Sequence, residues 1–151
     1  MTTSELLRQI LMELGPVFEA EGISEFDDRT WAFVRDPDTT VMVELNESGS
    51  NLSLWTEIGA PRDEQRFAAY ELALISNYSA ERPTAPRLSL TGRGGGLQAR
   101  IFVRADDLNI DALRELLTEL YEVVDRWRVL LEGQATPADA DAAEPSIGLR
   151  V

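Results

Sequence analysis

Residues 29–58 read RTWAFVRDPDTTVMVELNESGSNLSLWTEI, and this stretch decides the fold. Apolar side chains alternate with other residues three times over. Arg29 to Arg35 sets Trp31 and Phe33 on one face. Thr40 to Leu45 does so with Val41, Val43 and Leu45, and Asn51 to Ile58 with Leu52, Leu54 and Ile58. A period of two puts alternate side chains on one side of a strand, as a half-buried sheet requires. The links, Asp36-Pro37-Asp38 and Asn46 to Ser50, are short and rich in turn formers, which suits hairpins. The three segments therefore predict an antiparallel meander.

Outward from it, the period changes. Upstream, Ser4 to Leu14 carries Leu6, Leu7, Ile10, Leu11 and Leu14 at helical spacing. Thr2 and Glu5 fit a capping box, and Gly15-Pro16 reads as a stop. Downstream, a second helix is predicted over about Arg62 to Tyr78, with Pro61 near its start. Two strands follow, Arg87 to Thr91 and Leu97 to Arg104, joined by Gly92-Arg93-Gly94-Gly95-Gly96. Asn109 then caps a third helix, Ile110 to Glu132. Its stripe of Ile110, Leu113, Leu117, Leu120, Val124, Trp127 and Leu131 steps by 3 and 4 throughout.

The order is thus α-β-β-β-α-β-β-α. It predicts an α+β fold, an antiparallel twisted sheet with helices packed mainly on one face. Residues 1–132 form one domain on this reading. Residues 133–151 carry no large apolar residue before Ile147 and read as a flexible tail. The tail's end, with Ile147, Leu149 and Val151, has the alternative of docking as a short strand.

Composition narrows the chemistry. Of 151 residues, 14 are basic and 27 acidic, a net charge of −13, and every basic residue is arginine. There is no His, no Cys and no Lys. That removes the usual serine triad, thiol nucleophiles, Cys-based zinc sites, Schiff-base chemistry and the P-loop lysine. The acidity argues against nucleic acid as a partner, because phosphate binding needs a basic face. The first residues have neither a basic segment nor a long apolar one, so no signal peptide is read, and no apolar run is long enough for a membrane span. A soluble cytoplasmic protein that is not an enzyme, with no cofactor and no metal, is expected.

The remaining motifs divide the same way. Gly92 to Gly96 joins two strands rather than a strand to a helix, so it reads as a hairpin turn and not a phosphate cradle. The pairs Asp27/Asp28, Asp36/Asp38 and Asp106/Asp107 lie in loops and read as turn formers. The sheet is more informative. If Trp31, Val43, Leu54 and Ile101 face the helices, Val34, Met42, Trp55 and Phe102 fall on the other face, where polar residues are expected. Either these four form a contact patch, or a helix or the tail covers them. On helix 2, Phe67, Tyr70, Leu74 and Tyr78 form one side and Ala68, Leu72 and Ile75 another. That is too much apolar surface for a helix with one solvent face. The helix is either buried between sheet and helices or meets another subunit in a two-fold dimer.

At this point the sequence resembles a known family, the class I type III secretion chaperones (Tir-chaperone-like). The likeness lies in element order, length, acidity and several segments. These are Leu6-Leu7-Arg8-Gln9-Ile10-Leu11, Val41-Met42-Val43-Glu44-Leu45, Leu74-Ile75-Ser76-Asn77-Tyr78, Leu88-Ser89-Leu90, Ile101-Phe102-Val103 and Asp125-Arg126-Trp127-Arg128. It covers about residues 4–132. The resemblance implies a cytoplasmic bacterial homodimer that holds the extended N-terminal segment of a secreted effector, without ATP or catalytic residues. Contact with the secretion machinery is a further implied partnership. It makes Leu7, Leu11, Val34, Met42, Trp55 and Phe102 candidate effector contacts, and Phe67, Tyr70, Leu74 and Tyr78 candidate dimer contacts. A YbjN-like regulatory or adaptor domain shares the element order and is the alternative.

Overall fold

The computed structural model describes residues 1–133, so the tail expected over 133–151 lies outside the described residues apart from Gly133. Helix α1 spans Thr3–Val17, and a sheet meander follows: β1 Gly22–Asp27, β2 Thr30–Asp36, β3 Thr39–Leu45 and β4 Asn51–Gly59. A 3-10 turn at Asp63–Gln65 leads into α2, Arg66–Ser79. Strands β5 Arg87–Leu90 and β6 Leu97–Arg104 come next. A second 3-10 turn at Ala105–Asp107 precedes α3, Ile110–Glu132. The strands form one six-stranded sheet in the order β1-β2-β3-β4-β6-β5, with every neighbouring pair antiparallel.

The α+β expectation holds, with one more strand than the sequence pattern predicts. Strand β1 was missed because it has almost no buried face. Only Ile23, paired with Phe33, is even half-buried along it, so no alternation marks it. Two boundaries also move. Helix α1 runs through Gly15-Pro16 rather than stopping there. A proline so close to the end deletes one intrahelical bond, and the chain leaves the helix through Phe18 N–H to Leu14 O and Ala20 N–H to Gly15 O. The exit is completed by Glu19 at a left-handed φ of 52°. Helix 2 begins at Arg66 because the preceding turn is 3-10 in form.

The core lies between the sheet and α1 plus α3. Trp31, Phe33, Val41, Val43, Leu52, Leu54 and Ile101 supply the sheet side, and Leu7, Leu11, Leu14, Leu113, Leu117, Leu120, Val124 and Trp127 the helix side. The starts of α1 and α3 follow the sequence. Thr2 and Glu5 make both bonds of the capping box, and Asn109 Oδ1 accepts from Ala112 N–H at 2.9 Å. Two of the loop acids, Asp27 and Asp36, work as turn formers. Asp27 Oδ1 accepts from Arg29 N–H, and Asp36 Oδ1 from Asp38 N–H. That bond from the Arg29 N–H holds the Asp27 carboxyl below its ordinary value despite some desolvation.

Two arginines fasten α3 to the sheet. Arg35 on β2 makes two bonds to the Asp125 carboxylate and lies 4.5 Å from the centre of the Tyr121 ring. Burial pushes the Tyr121 hydroxyl well above its usual pKa. Arg128 reaches further. Its Nε donates to Ile58 O at 3.0 Å, and its Nη2 to Asp38 O at 2.7 Å and Glu57 O at 3.0 Å, while Nη1 donates to Thr39 Oγ1. One guanidinium thus ties the end of α3 to the β2–β3 turn, the start of β3 and the end of β4.

Replacing Arg128 by Met keeps the stem and removes these bonds. Because hydrogen bonds from a charged donor are worth more than neutral ones, the loss is expected to cost about 2 kcal/mol. Urea denaturation reads it as a lower midpoint at unchanged slope. A second expectation concerns the three tryptophans. Trp31 and Trp127 are 0% and 1% exposed, whereas Trp55 is half-buried on the opposite side of the sheet. Acrylamide quenching of the native protein should fall sharply in Trp55→Phe. Quenching that persists unchanged would contradict this placement.

Candidate functional site

The helices cover one face of the sheet, and the other face carries the candidate site. Strand register fixes which residues meet there. Ser24, Ala32, Met42, Trp55, Arg100 and Arg87 form one row running from β1 to β5, each opposite the next. In the adjacent row Glu44 is opposite Ser53, and Ser53 opposite Phe102. Val34 lies two residues along β2 from Ala32 and is paired with Thr40.

The four expected sheet residues therefore do share the helix-free face. Val34, Met42 and Trp55 are half-buried, and Phe102 is 56% exposed. Met42 and Trp55 are directly paired, while Val34 and Phe102 lie towards opposite corners. Met42 and Trp55 also line a shallow cleft of about 320 Å³ with Thr40, Pro37, Asp38 and Glu57.

Sequence reasoning missed the residue that links the aromatic pair. The Arg100 guanidinium carbon lies 5.6 Å from the ring centre of Trp55 and 5.6 Å from that of Phe102. The signal was present, since Arg100 sits between the inward-facing Ala99 and Ile101. A lone arginine on a strand gives no hint that two rings flank it.

The expectation for helix 1 needs correction. Leu7 and Leu11 are both 0% exposed and belong to the core against the sheet. The i, i+3, i+4 stripe that identifies a helix is the stripe it buries, so these side chains offer no outer contact surface. The exposed apolar residues of α1 are instead Met12 and Val17.

Helix α2 buries a side shifted from the expected one: Leu72 is buried, but Ala68 is exposed and Ile75 only half-buried. Ala69, Leu72 and Ala73 are buried, while Phe67, Leu74 and Tyr78 are 80%, 70% and 77% exposed. These three lie along one line of the helix. Tyr70 does not join them; it is half-buried and donates its hydroxyl hydrogen to Gly95 O at 2.7 Å. The glycine loop is thus a packed turn. Thr91 N–H bonds Gly96 O, and a side chain at Gly95 would strike the Thr91 hydroxyl.

Asn77 near the end of α2 has a role that the sequence did not reveal. Its Nδ2 donates to Leu88 O at 2.7 Å, and its Oδ1 accepts from Leu88 N–H at 2.8 Å. The carboxamide thereby takes both outward backbone groups of Leu88 on edge strand β5. The opposite edge strand, β1, is exposed over most of its length.

Among the described residues, no cluster of three or more His, Cys, Asp or Glu is arranged to hold a metal ion. No helix there is long and apolar enough to cross a membrane.

No known family pattern matches the sequence, and no characterised protein resembles it closely in sequence. Solved structures do resemble it in shape. A chain of the HopA1–SchA chaperone–effector complex aligns with a TM-score of 0.60 at 19% identity, covering 83% of this chain and 94% of that one. A chain of the ExsC–ExsE complex gives 0.68 at 15% identity, covering 87% and 97%. A chain of the heterodimeric ExoU–SpcU complex, from the type III secretion system of Pseudomonas aeruginosa, gives 0.61 at 19% identity, covering 83% and 97%. The chain shares the α+β fold of these three over nearly their whole lengths.

Proposed function

We propose that this chain is a type III secretion chaperone. In this reading it acts in the bacterial cytoplasm as a homodimer. It binds the extended N-terminal segment of an effector and keeps it soluble and competent for secretion. The observation that carries the reading is the fold shared with chains taken from a chaperone–effector complex and from a secretion-system heterodimer.

The surface fits that role physically. Met42, Trp55 and Phe102 offer an apolar strip across three strands, on a face that no helix covers. Val34 extends it toward β1. An extended segment laid over this strip would bury its own apolar side chains, and the open β1 edge would satisfy its backbone by strand addition. Such a segment loses entropy on ordering, so it needs a long contact surface in return. Phe67, Leu74 and Tyr78 give α2 a second apolar line suited to a two-fold pairing, with Tyr70 beside it as a positioning residue. A dimer would carry twice the chain's −13, which favours solubility and attracts basic segments. The function is then binding alone, with no catalytic step.

The test has two arms. Light scattering should give about twice the chain mass of 16.8 kDa, and a Phe67→Ser, Leu74→Ser, Tyr78→Ser variant should give the single chain mass. A wild-type monomer at micromolar concentration removes the dimer. With an effector segment identified by co-purification, Met42→Asp with Trp55→Asp should weaken capture at least tenfold in a folded protein, because each change buries a charge on binding. Capture that survives removes the sheet face.

A further inference from the structure

Arg100 differs from three other partly buried arginines, Arg35, Arg128 and Arg87, whose guanidinium groups all have polar partners. Arg35 pairs with Asp36 and Asp125. Arg128 donates to carbonyls and a hydroxyl. Arg87, which faces Arg100 across the β5–β6 pair, turns back to the carbonyls of Ala80, Arg82 and Ala85. Arg100 forms no ion pair among the described residues, in a chain with nearly twice as many acids as bases. Glu44 and Glu57 lie on nearby strands and do not pair with it. Its Nε and the Nε1 of neighbouring Trp55 are both buried without an acceptor. Trp31 and Trp127 also leave their ring N–H unpaired, but they sit in the core.

A guanidinium between two rings is held by their π faces and partly stripped of water, and its N–H groups point outward in its own plane. That is a prepared donor site for a carboxylate, which accepts two parallel bonds from an arginine. An unpaired charge beside apolar rings is costly, and the missing counter-charge is one that a partner can bring.

We infer that Arg100, set between Trp55 and Phe102, receives an Asp or Glu side chain of the bound segment, next to an apolar side chain seated on Met42 and Trp55. This rests on the proposed use of the sheet face and adds its selectivity. Overall acidity draws a basic segment in from a distance. Arg100 then fixes the register of that segment, because one carboxylate at one spacing fits and its neighbours do not.

A phage-displayed library of random 15-residue peptides can be selected on the full chain, on Arg100→Gln and on Trp55→Asp. On the wild type, Asp or Glu should be enriched at one fixed spacing from a large apolar residue. On Arg100→Gln the apolar preference should remain and the acidic one vanish. For a selected synthetic peptide, Glu→Gln should weaken wild-type binding about tenfold and Arg100→Gln binding less than twofold, as loss of a charge-assisted pair implies. Equal acidic enrichment on both proteins overturns the inference. Wild-type peptides that need Trp55 but carry no acid overturn it and leave the sheet-face reading standing. Peptides indifferent to Trp55→Asp, or no peptides at all, overturn both. If Arg100→Gln lacks the wild-type circular dichroism, the Glu and Gln peptides on the wild type decide, and equal affinity overturns the inference.

Discussion

Helix α3 lies against the sheet with Leu113, Leu117, Leu120, Val124 and Trp127 sealed beneath it, and α1 adds Leu7, Leu11 and Leu14 beside them. These contacts hold the molecule together, and they also set its limit. A six-stranded sheet has two faces, and these helices are spent on one. Helix α2 does not make up the difference, because it is packed near the β5 edge and buries only its narrow side. The uncovered face, the half-exposed Trp55 and the apolar line on α2 all follow from that shortage of cover. A sheet face left open to water is normally polar. This one carries Met42, Trp55 and Phe102, and that departure is what the proposed contact surface rests on.

The parts of the fold written in periodic patterns were legible. Alternation in β2, β3 and β4 marked the strands, and the long stripe of α3 marked its buried side. Strand β1 was illegible for the complementary reason. It exists because β2 offers it a row of backbone partners, and its own side chains are mostly in solvent, so the information is in its neighbour. The helix boundaries moved where local signals were weak against packing, as at Gly15-Pro16, where Gly15 is buried and Ile23 lies against it.

The candidate site was legible by face but not by distance. Period two placed Val34, Met42, Trp55 and Phe102 on one side without any structure. It could not tell that Arg100 would stand between two rings, since that depends on the register of β4 against β6. Leu7 and Leu11 failed for a different reason: apolar residues at helical spacing advertise burial, and the same letters were asked to signal an exposed contact. Tyr70 illustrates the middle ground. It lies at the margin of the exposed line, and its hydroxyl found an acceptor in the glycine loop that no local pattern could foresee.

Asn77 has a consequence for how copies of this chain can meet. Any sheet with two free edges is a bifunctional monomer, able to add neighbours at both ends and grow into a fibre. Here an amide side chain imitates the next strand at Leu88, in the middle of a four-residue edge, and so blunts growth on that side. The sheet is left with an effective valence of one. Strand addition is thereby directed to β1, the edge that the proposed segment would occupy.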